Sequence, residues 1–413
     1  MRTTYAAVLR APGVPRVFIP SLLGRMSFAT VTLGCVVLVA HTTGSYAAAG
    51  LSSGAFGLAN VIAAPLRARF VDRRGQRFGL RVLALGYAAG ITALTISATF
   101  GAATAALTAC AVAAGGAAPP VGAAMRMRWR LLVTDPGQVA GAYSLDSACE
   151  ETVYTLGPVL AGLVMAVTVP QAGLIVSAAL VLLGCFLMTT AATNLPPGAP
   201  AATARAARPR LLGVPGFIPA LLVTGATGAI VGGTDVIVPA QAAPDSTLAG
   251  VLLGALALGS GIGGLAYGAR TWHWPVRARL LSLAAAMTAA CAVLTVLPPA
   301  IPLAAGLVAT GLALAPAMVS GYLLVDTLTD DRARLEASTW INTAVNAGTA
   351  GTSAVIGLVL DRSSPAWAYG ATSFLAVSLI MLGLIVTVTH RPSRERQHSQ
   401  QAGIADVCRE KGG

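Results

Sequence analysis

Long apolar runs separated by short polar breaks recur along the whole chain. Twelve of them lie near Val17–Ala40, Tyr46–Leu66, Phe78–Ala98, Ala102–Ala123, Tyr143–Val167, Ala172–Ala192, Val214–Ala240, Thr247–Ala269, Leu280–Leu297, Ile301–Val325, Ala337–Leu360 and Ala366–Thr389. They are referred to below as spans 1 to 12. A helix of about 20 residues crosses a hydrocarbon layer about 30 Å thick. Backbone polar groups in lipid must find partners within the protein, which predicts helices, because the strands of a closed barrel would alternate in polarity instead. The pattern therefore predicts an all-α polytopic membrane protein.

The longest internal break is Leu195 to Arg210, rich in proline, small residues and arginine, a composition suited to a solvated linker. Beyond it the opening of the chain returns. Gly13-Val14-Pro15-Arg16-Val17-Phe18-Ile19-Pro20 reappears, one residue shorter, as Gly213-Val214-Pro215-Gly216-Phe217-Ile218-Pro219. The twelve transmembrane helices thus divide into two pseudo-symmetric six-helix bundles, residues 1–194 and 213–390. Residues 195–212 form the expected cytoplasmic linker, and residues 391–413 a disordered cytoplasmic tail. Parallel repeats of this kind place a substrate path at their interface.

Composition agrees: 55% of residues are hydrophobic, 10% are charged and the mean hydropathy is +0.75, which excludes a soluble enzyme. A net charge of +12 would suggest nucleic acid in a soluble protein, but 25 of the 27 Lys and Arg residues fall on one side of the membrane. That asymmetry places both termini in the cytoplasm and explains the charge without a nucleic-acid partner. Lys411 is the only lysine among many Ala, Gly and Arg residues, as in a high-GC bacterial genome, so the expected location is a bacterial inner membrane. The first run is too long for a signal-peptide core and is read as a retained helix. The six cysteines form no metal or disulfide pattern, and no cofactor is expected. There is no nucleotide-binding loop either, so a gradient must supply the energy. Trp129, Trp272, Trp274 and Trp367 are expected at the membrane interface.

Ionisable residues within spans are costly and carry the functional expectations. Span 5 contains Asp146, Glu150 and Glu151. Asp146, Glu150, Tyr154, Gly157 and Ala161 share one helical face, with Glu151 about 100° from Glu150. Arg25, about 12 Å into span 1 by helical rise, lies at the depth of Glu150, so Arg25 is expected to pair with Glu150 or Glu151. Such a pair serves either as a proton site or as a static link between helices. Asp235 in span 7 lies nearer the outer end, as a second protonation or substrate site or as a residue of the mouth. Asn342 and Asn346 share a face of span 11 and could meet substrate or bond a neighbouring helix. None of the four histidines lies mid-span, which argues against a histidine proton shuttle.

Between spans 2 and 3 the chain reads Asp72-Arg73-Arg74-Gly75-Gln76-Arg77. This resembles the loop motif Gly-x-x-x-Asp-Arg-x-Gly-Arg/Gln-Arg of the major facilitator superfamily, with Ala68 in place of the first glycine. Gly75 permits a left-handed turn and Asp72 can cap a helix or pair with a guanidinium. The resemblance implies that Asp72, Arg73, Gly75 and Arg77 belong to a gating loop that latches against span 11. In span 5, Gly157-Pro158-Val159-Leu160-Ala161-Gly162 is similar to the Gly-Pro-x-x-Gly-Gly motif of the drug/proton antiporters of that superfamily. Gly157, Pro158, Ala161 and Gly162 also suit close helix packing and a kink. Such antiporters often carry an arginine within helix 4; Ala102–Ala123 has none, and Arg25 is the candidate substitute.

The expected function is secondary active transport by alternating access, most concretely proton-coupled export of a small, partly apolar compound by a monomer in the bilayer. The alternatives are proton-coupled uptake of a metabolite and a non-transporting membrane sensor of the same fold.

Overall fold

In the computed structural model, residues 5–133, 136–190, 211–298, 300–329 and 334–389 are described. Most of the expected linker and the whole of the expected tail lie outside the described residues, as does the side chain of Glu151. The described residues form twelve membrane-length helical spans and no strand. The first half comprises Val14–Thr43, Tyr46–Arg74, Gln76–Thr99, a broken fourth span (Thr104–Ala117 and Val121–Leu132), Pro136–Val167 and Ala172–Thr190. The second comprises Phe217–Ala242, Ser246–Gly268, Val276–Val293, a broken tenth span (Ile301–Gly311 and Leu314–Leu328), Arg334–Leu360 and Pro365–Thr389.

Local chemistry sets the ends of these helices. The Ser45 hydroxyl accepts from the Ala48 amide at the start of span 2, and the Asp245 carboxylate accepts from the Leu248 amide at 3.0 Å at the start of span 8. Gly75 joins spans 2 and 3 at φ 81°, ψ 151°. This is not the left-handed turn expected but an extended positive-φ conformation open essentially only to glycine.

Span 4 differs most from expectation. Its first segment stops at Ala117 because Pro119 and Pro120 carry no amide hydrogen. The buried Arg67 guanidinium of span 2 answers the carbonyls freed there, donating to Gly115 at 3.0 Å and to Ala118 and Asn60 at 2.5 Å. The helix then resumes through Leu132. Arg126, Arg128 and Trp129 consequently belong to a packed helix rather than to a loop. Arg128 donates to the Met188 carbonyl at 2.7 Å and to Gln76 Oε1 at 2.9 Å. Trp129 is fully buried with its ring centroid 5.0 Å from Phe18, so it is no interface anchor. Trp274 and Trp367 are exposed, and Trp272 stacks on Tyr267.

Two large clusters of buried apolar side chains lie one mostly in each half, with Leu33, Ala161 and Met165 of the first packed into the second's. In the first, Ser27, Tyr87 and Ser177 form a buried hydroxyl cluster with separations of 2.9 to 3.2 Å. In the second, span 11 packs on span 7, with Ser353 donating to the Gly232 carbonyl at 2.9 Å and Thr349 to that of Gly228 at 3.0 Å.

Glycine governs how the halves meet. Gly50 and Gly54 of span 2 lie directly on the Ser353 and Ala350 carbonyls of span 11, and Gly357 lies on Tyr46. Gly162 of span 5 and Gly250 of span 8 make the equivalent contacts with Ser246 and Pro158. Close backbone approach through small residues is what holds helices together where lipid removes the hydrophobic drive. These contacts cluster toward the ends of the spans joined by Gly44–Ser45 and by Asp361–Ser364. The seam is clasped there by Asp361 of the second half, which accepts from Ser45 Oγ and from the Tyr46 amide, both at 2.6 Å. The contacts that shut the halves together thus gather at the Asp361 end, and none of those named here lies toward the arginine-rich end.

Candidate functional site

Between the halves lies a cavity of about 660 Å³ walled by spans 1, 5, 7, 8, 10 and 11. Its polar lining comes from Thr32, Glu150, Tyr154, Asp235, Ser260, Tyr322 and Asn342, set among apolar walls that include Leu253, Leu256 and Met318. Such a wall of mostly apolar groups with a few convergent polar ones is what a small-molecule site requires.

Arg25 sits at the edge of this cavity and is itself buried. Its guanidinium reaches Asp146 at 2.9 Å and Glu150 at 3.9 Å. Of the two partners named from sequence, Glu150 is thus near, yet among the described carboxylates Asp146, one helical turn below on the same face, is closer. Asp146 is as buried as Arg25, so this pair is shielded from water. Glu150 is partly open to the cavity and takes a second cation, Arg126, at 3.3 Å. Two guanidinium groups therefore face two carboxylates. Among the described residues the Arg25 Nε and Nη1 atoms find no hydrogen-bond acceptor, so the cluster holds donor capacity that a neighbouring group could take up.

Arg126 was missed in the sequence. It lies in the second segment of span 4, where three arginines within five residues resemble a loop. The pair of prolines before it is the signal that a resumed helix could follow. The same break brings Gly122 over the cluster, so that a side chain there would lie 3.7 Å from Arg25 Nε and from a Glu150 oxygen. Tyr322 and Ser260 were also missed, since only the rotation of their helices decides that they face inward.

The remaining expected residues separate into groups. Asp235, seven residues from the end of span 7, lines the same cavity as Glu150 rather than an outer mouth. Tyr154 and Asn342 line it too. Asn346 is not among the lining residues; its amide donates to the Asn342 carbonyl at 2.8 Å. Gly157 is pressed against Ala29 of span 1, Ala161 is buried in the core around Leu33, and Gly162 meets Ser246. Pro158 lines the cavity at the level where span 8 crosses. In the loop between spans 2 and 3, Asp72, Arg73 and Arg77 are exposed and form no ion pair among the described residues. Gln76 ties this loop to Arg128 instead. No cluster of metal-ligating side chains occurs among the described residues.

A membrane protein of two six-helix halves around a central cavity is built as a secondary transporter of small molecules. The chain belongs to the Major Facilitator Superfamily, whose family model matches residues 18–241. No curated protein matches it. Among solved structures it is similar to the nucleoside transporter NupG, at TM-score 0.71 and 14% identity over 91% of this chain and 99% of that one. It is similar also to the POT family transporter PepTSo, at TM-score 0.69 and 9% identity over 92% and 98% of the two chains. The D-xylose-proton symporter matches at TM-score 0.66 and 12% identity, over 90% and 97%. Likeness at these identities establishes the fold: twelve helices of the superfamily type, embedded in a membrane.

Proposed function

We propose that this transporter exports a small, partly apolar compound in exchange for protons. The observation that carries the reading is the position of Glu150, which opens to the central cavity while lying between Arg25 and Arg126. A carboxylate so placed has two available states. Ionised, it balances the second guanidinium; protonated, it releases that guanidinium and changes the charge presented to the cavity. A transport cycle needs ligands that bind the two open states unequally, and a group whose charge partners sit on spans 1 and 4 supplies that inequality.

The likeness of Gly157-Pro158-Val159-Leu160-Ala161-Gly162 to the helix 5 motif of drug/proton antiporters supports the export direction. Gly157, Ala161 and Gly162 let span 5 close on its neighbours, and Pro158 frees a carbonyl beside the cavity. The arginine-rich loops belong in the cytoplasm by the charge rule, which puts both termini there, in a bacterial inner membrane. In that orientation the open end of the cavity faces the cytoplasm and the Asp361 clasp lies outside. Asp72, Arg73, Gly75 and Arg77 then form the loop that engages the second half when the cytoplasmic end shuts. The division into residues 1–194 and 213–390 provides the two rocking bodies, and one chain contains the whole site, so the working unit is a monomer.

The test uses purified full-length protein in liposomes loaded with a pH-sensitive dye and challenged with a panel of amphiphilic compounds under an imposed pH gradient. Proton movement opposite to the compound, present in the parent and lost in Glu150→Gln, is the expected result. Movement in the same direction replaces export with uptake. Compound flux without proton flux removes the coupling, and no flux under any gradient leaves a sensor.

A further inference from the structure

A second cavity, of about 220 Å³, opens at the arginine-rich end of the second half between spans 7, 9, 10 and 12. Pro219, Val223, Leu281, Leu324 and Leu384 make its walls apolar, and by helical rise it runs about 10 Å along span 7, from Gly216 to Val223. Arg277, in the first turn of span 9, is the charged residue of the lining. It is exposed and forms no ion pair among the described residues. Trp274, three residues before it, is exposed as well, and tryptophan collects at the level of lipid headgroups. Arg277 therefore stands at headgroup depth, with the apolar walls at the depth of acyl chains. The corresponding place among spans 1, 3, 4 and 6 is closed by the chain itself. There Trp129 packs on Phe18, and Arg81 of span 3 lies 5.0 Å over the Phe186 ring and donates to the Thr189 hydroxyl at 2.9 Å. Span 10 brings leucines to this level in place of an indole, and Arg277 covers no ring among the described residues.

We propose that this groove binds one anionic phospholipid, its phosphate on the Arg277 guanidinium and an acyl chain between spans 7, 9, 10 and 12. A guanidinium matches a phosphate in charge and in the geometry of its donors, and basic pockets between membrane helices take anionic headgroups. The neighbouring segments of the chain do not suit the site. Leu195–Arg210 carries Arg205, Arg208 and Arg210 and no acidic residue, and His390–Arg396 carries three arginines against one glutamate. Either would set like charge against Arg277. A zwitterionic lipid brings its own cation to the arginine and gains less. All four walls belong to the second half, and the groove shares no lining residue with the central cavity. The lipid thus moves with that half as one body and stabilises it, whatever the coupling or direction of transport.

Native mass spectrometry of the purified full chain, titrated with phosphatidylglycerol, phosphatidylcholine or glycerol phosphate, tests the proposal. The first phosphatidylglycerol should bind about fivefold more tightly than the first phosphatidylcholine, the factor expected of one cation near an anionic surface. The melting temperature should rise as it binds, because the ligand holds the folded chain alone. Arg277→Gln should abolish the preference, and Arg277→Lys should keep most of it. Arg69→Gln, exposed and outside the groove, should leave it unchanged. Leu324→Trp fills the groove with Arg277 intact and should weaken the first site for both lipids. An unchanged elution profile on size exclusion shows that the Trp variant is folded; if it is not, the Arg277 variants and the lipid ranking decide alone. Equal binding of the two lipids, an Arg277→Gln variant with the preference of the parent, or a folded Leu324→Trp variant with its affinity overturns the proposal. Glycerol phosphate that binds as tightly as the lipid and displaces it also overturns it, and assigns the site to a soluble anion.

Discussion

Replacing Gly50 by alanine probes the seam between the halves with a single methyl group. In the closed end, a Cβ at position 50 would run into the Ser353 carbonyl and its carbon. Those are backbone atoms of span 11, and they cannot rotate aside as a long side chain would. Overpacking of this kind costs about 1–3 kcal/mol. The penalty applies only while the Asp361 end is shut, so the variant should move the population of the opposite opening about 5- to 150-fold, at about 1.4 kcal/mol per factor of ten. The assay follows alkylation of a single cysteine at Ser260, in a chain otherwise free of cysteine, by a membrane-impermeant maleimide applied from either face. Ser260 lines the cavity, so its reactivity from each face reports which end is open. Labelling from the Asp361 face should accelerate within that range in Gly50→Ala. The control is Gly57→Ala on the same helix, where a Cβ would meet nothing within 4 Å and labelling should not change. Equal labelling in the parent and Gly50→Ala would refute the claim that this contact holds the halves together.

Three further outcomes follow from the same geometry. Asp146→Asn leaves the buried Arg25 with only the more distant Glu150, and loss of one partner of a buried pair costs about 3–5 kcal/mol; the melting temperature should fall markedly, and exchanging the two charges should recover part of the loss. Asp361→Ala removes the acceptor for Ser45 Oγ and the Tyr46 amide, worth about 0.5–2 kcal/mol by analogy with helix caps, and should speed Ser260 labelling from that face by up to about 30-fold. Arg67→Met leaves the carbonyls at the span 4 break without their donor, at about 1–3 kcal/mol each for a buried orphan; a parent-like melting temperature would show that water replaces the guanidinium.

The fold was legible because its main determinant is one-dimensional. A run of apolar residues long enough to cross lipid must be helical, and each such run did form a span. The repeat of Gly13–Pro20 at Gly213–Pro219 likewise marked the two halves. The site was legible only in part. The rarity of charge in lipid singled out Arg25, Asp146, Glu150 and Asp235, and helical rise put Arg25 level with Glu150. Which carboxylate Arg25 meets depends on the rotation of span 5 about its axis, which hydropathy does not specify. That is why Asp146 lies nearer to Arg25 than Glu150 does. Arg126 escaped because the helix resumes after Pro119 and Pro120, at a break whose carbonyls are met by Arg67, 48 residues or more away in sequence. Trp129 was misplaced for the same reason: an aromatic beside arginines looks like a membrane boundary until Phe18 covers it. Asn342 lines the cavity and Asn346, one turn on, does not, a difference that helix rotation and not spacing decides.

Distances between spin labels on the two halves test the central claim most directly. One pair would sit at the arginine-rich ends of spans 2 and 11 and another at their Asp361 ends, recorded in nanodiscs at acidic and alkaline pH. The account expects two populations whose distances change in opposite directions at the two ends, with a balance that shifts with pH in the parent and not in Glu150→Gln. A single arrangement that ignores pH, or a pH response that survives in Glu150→Gln, would contradict it.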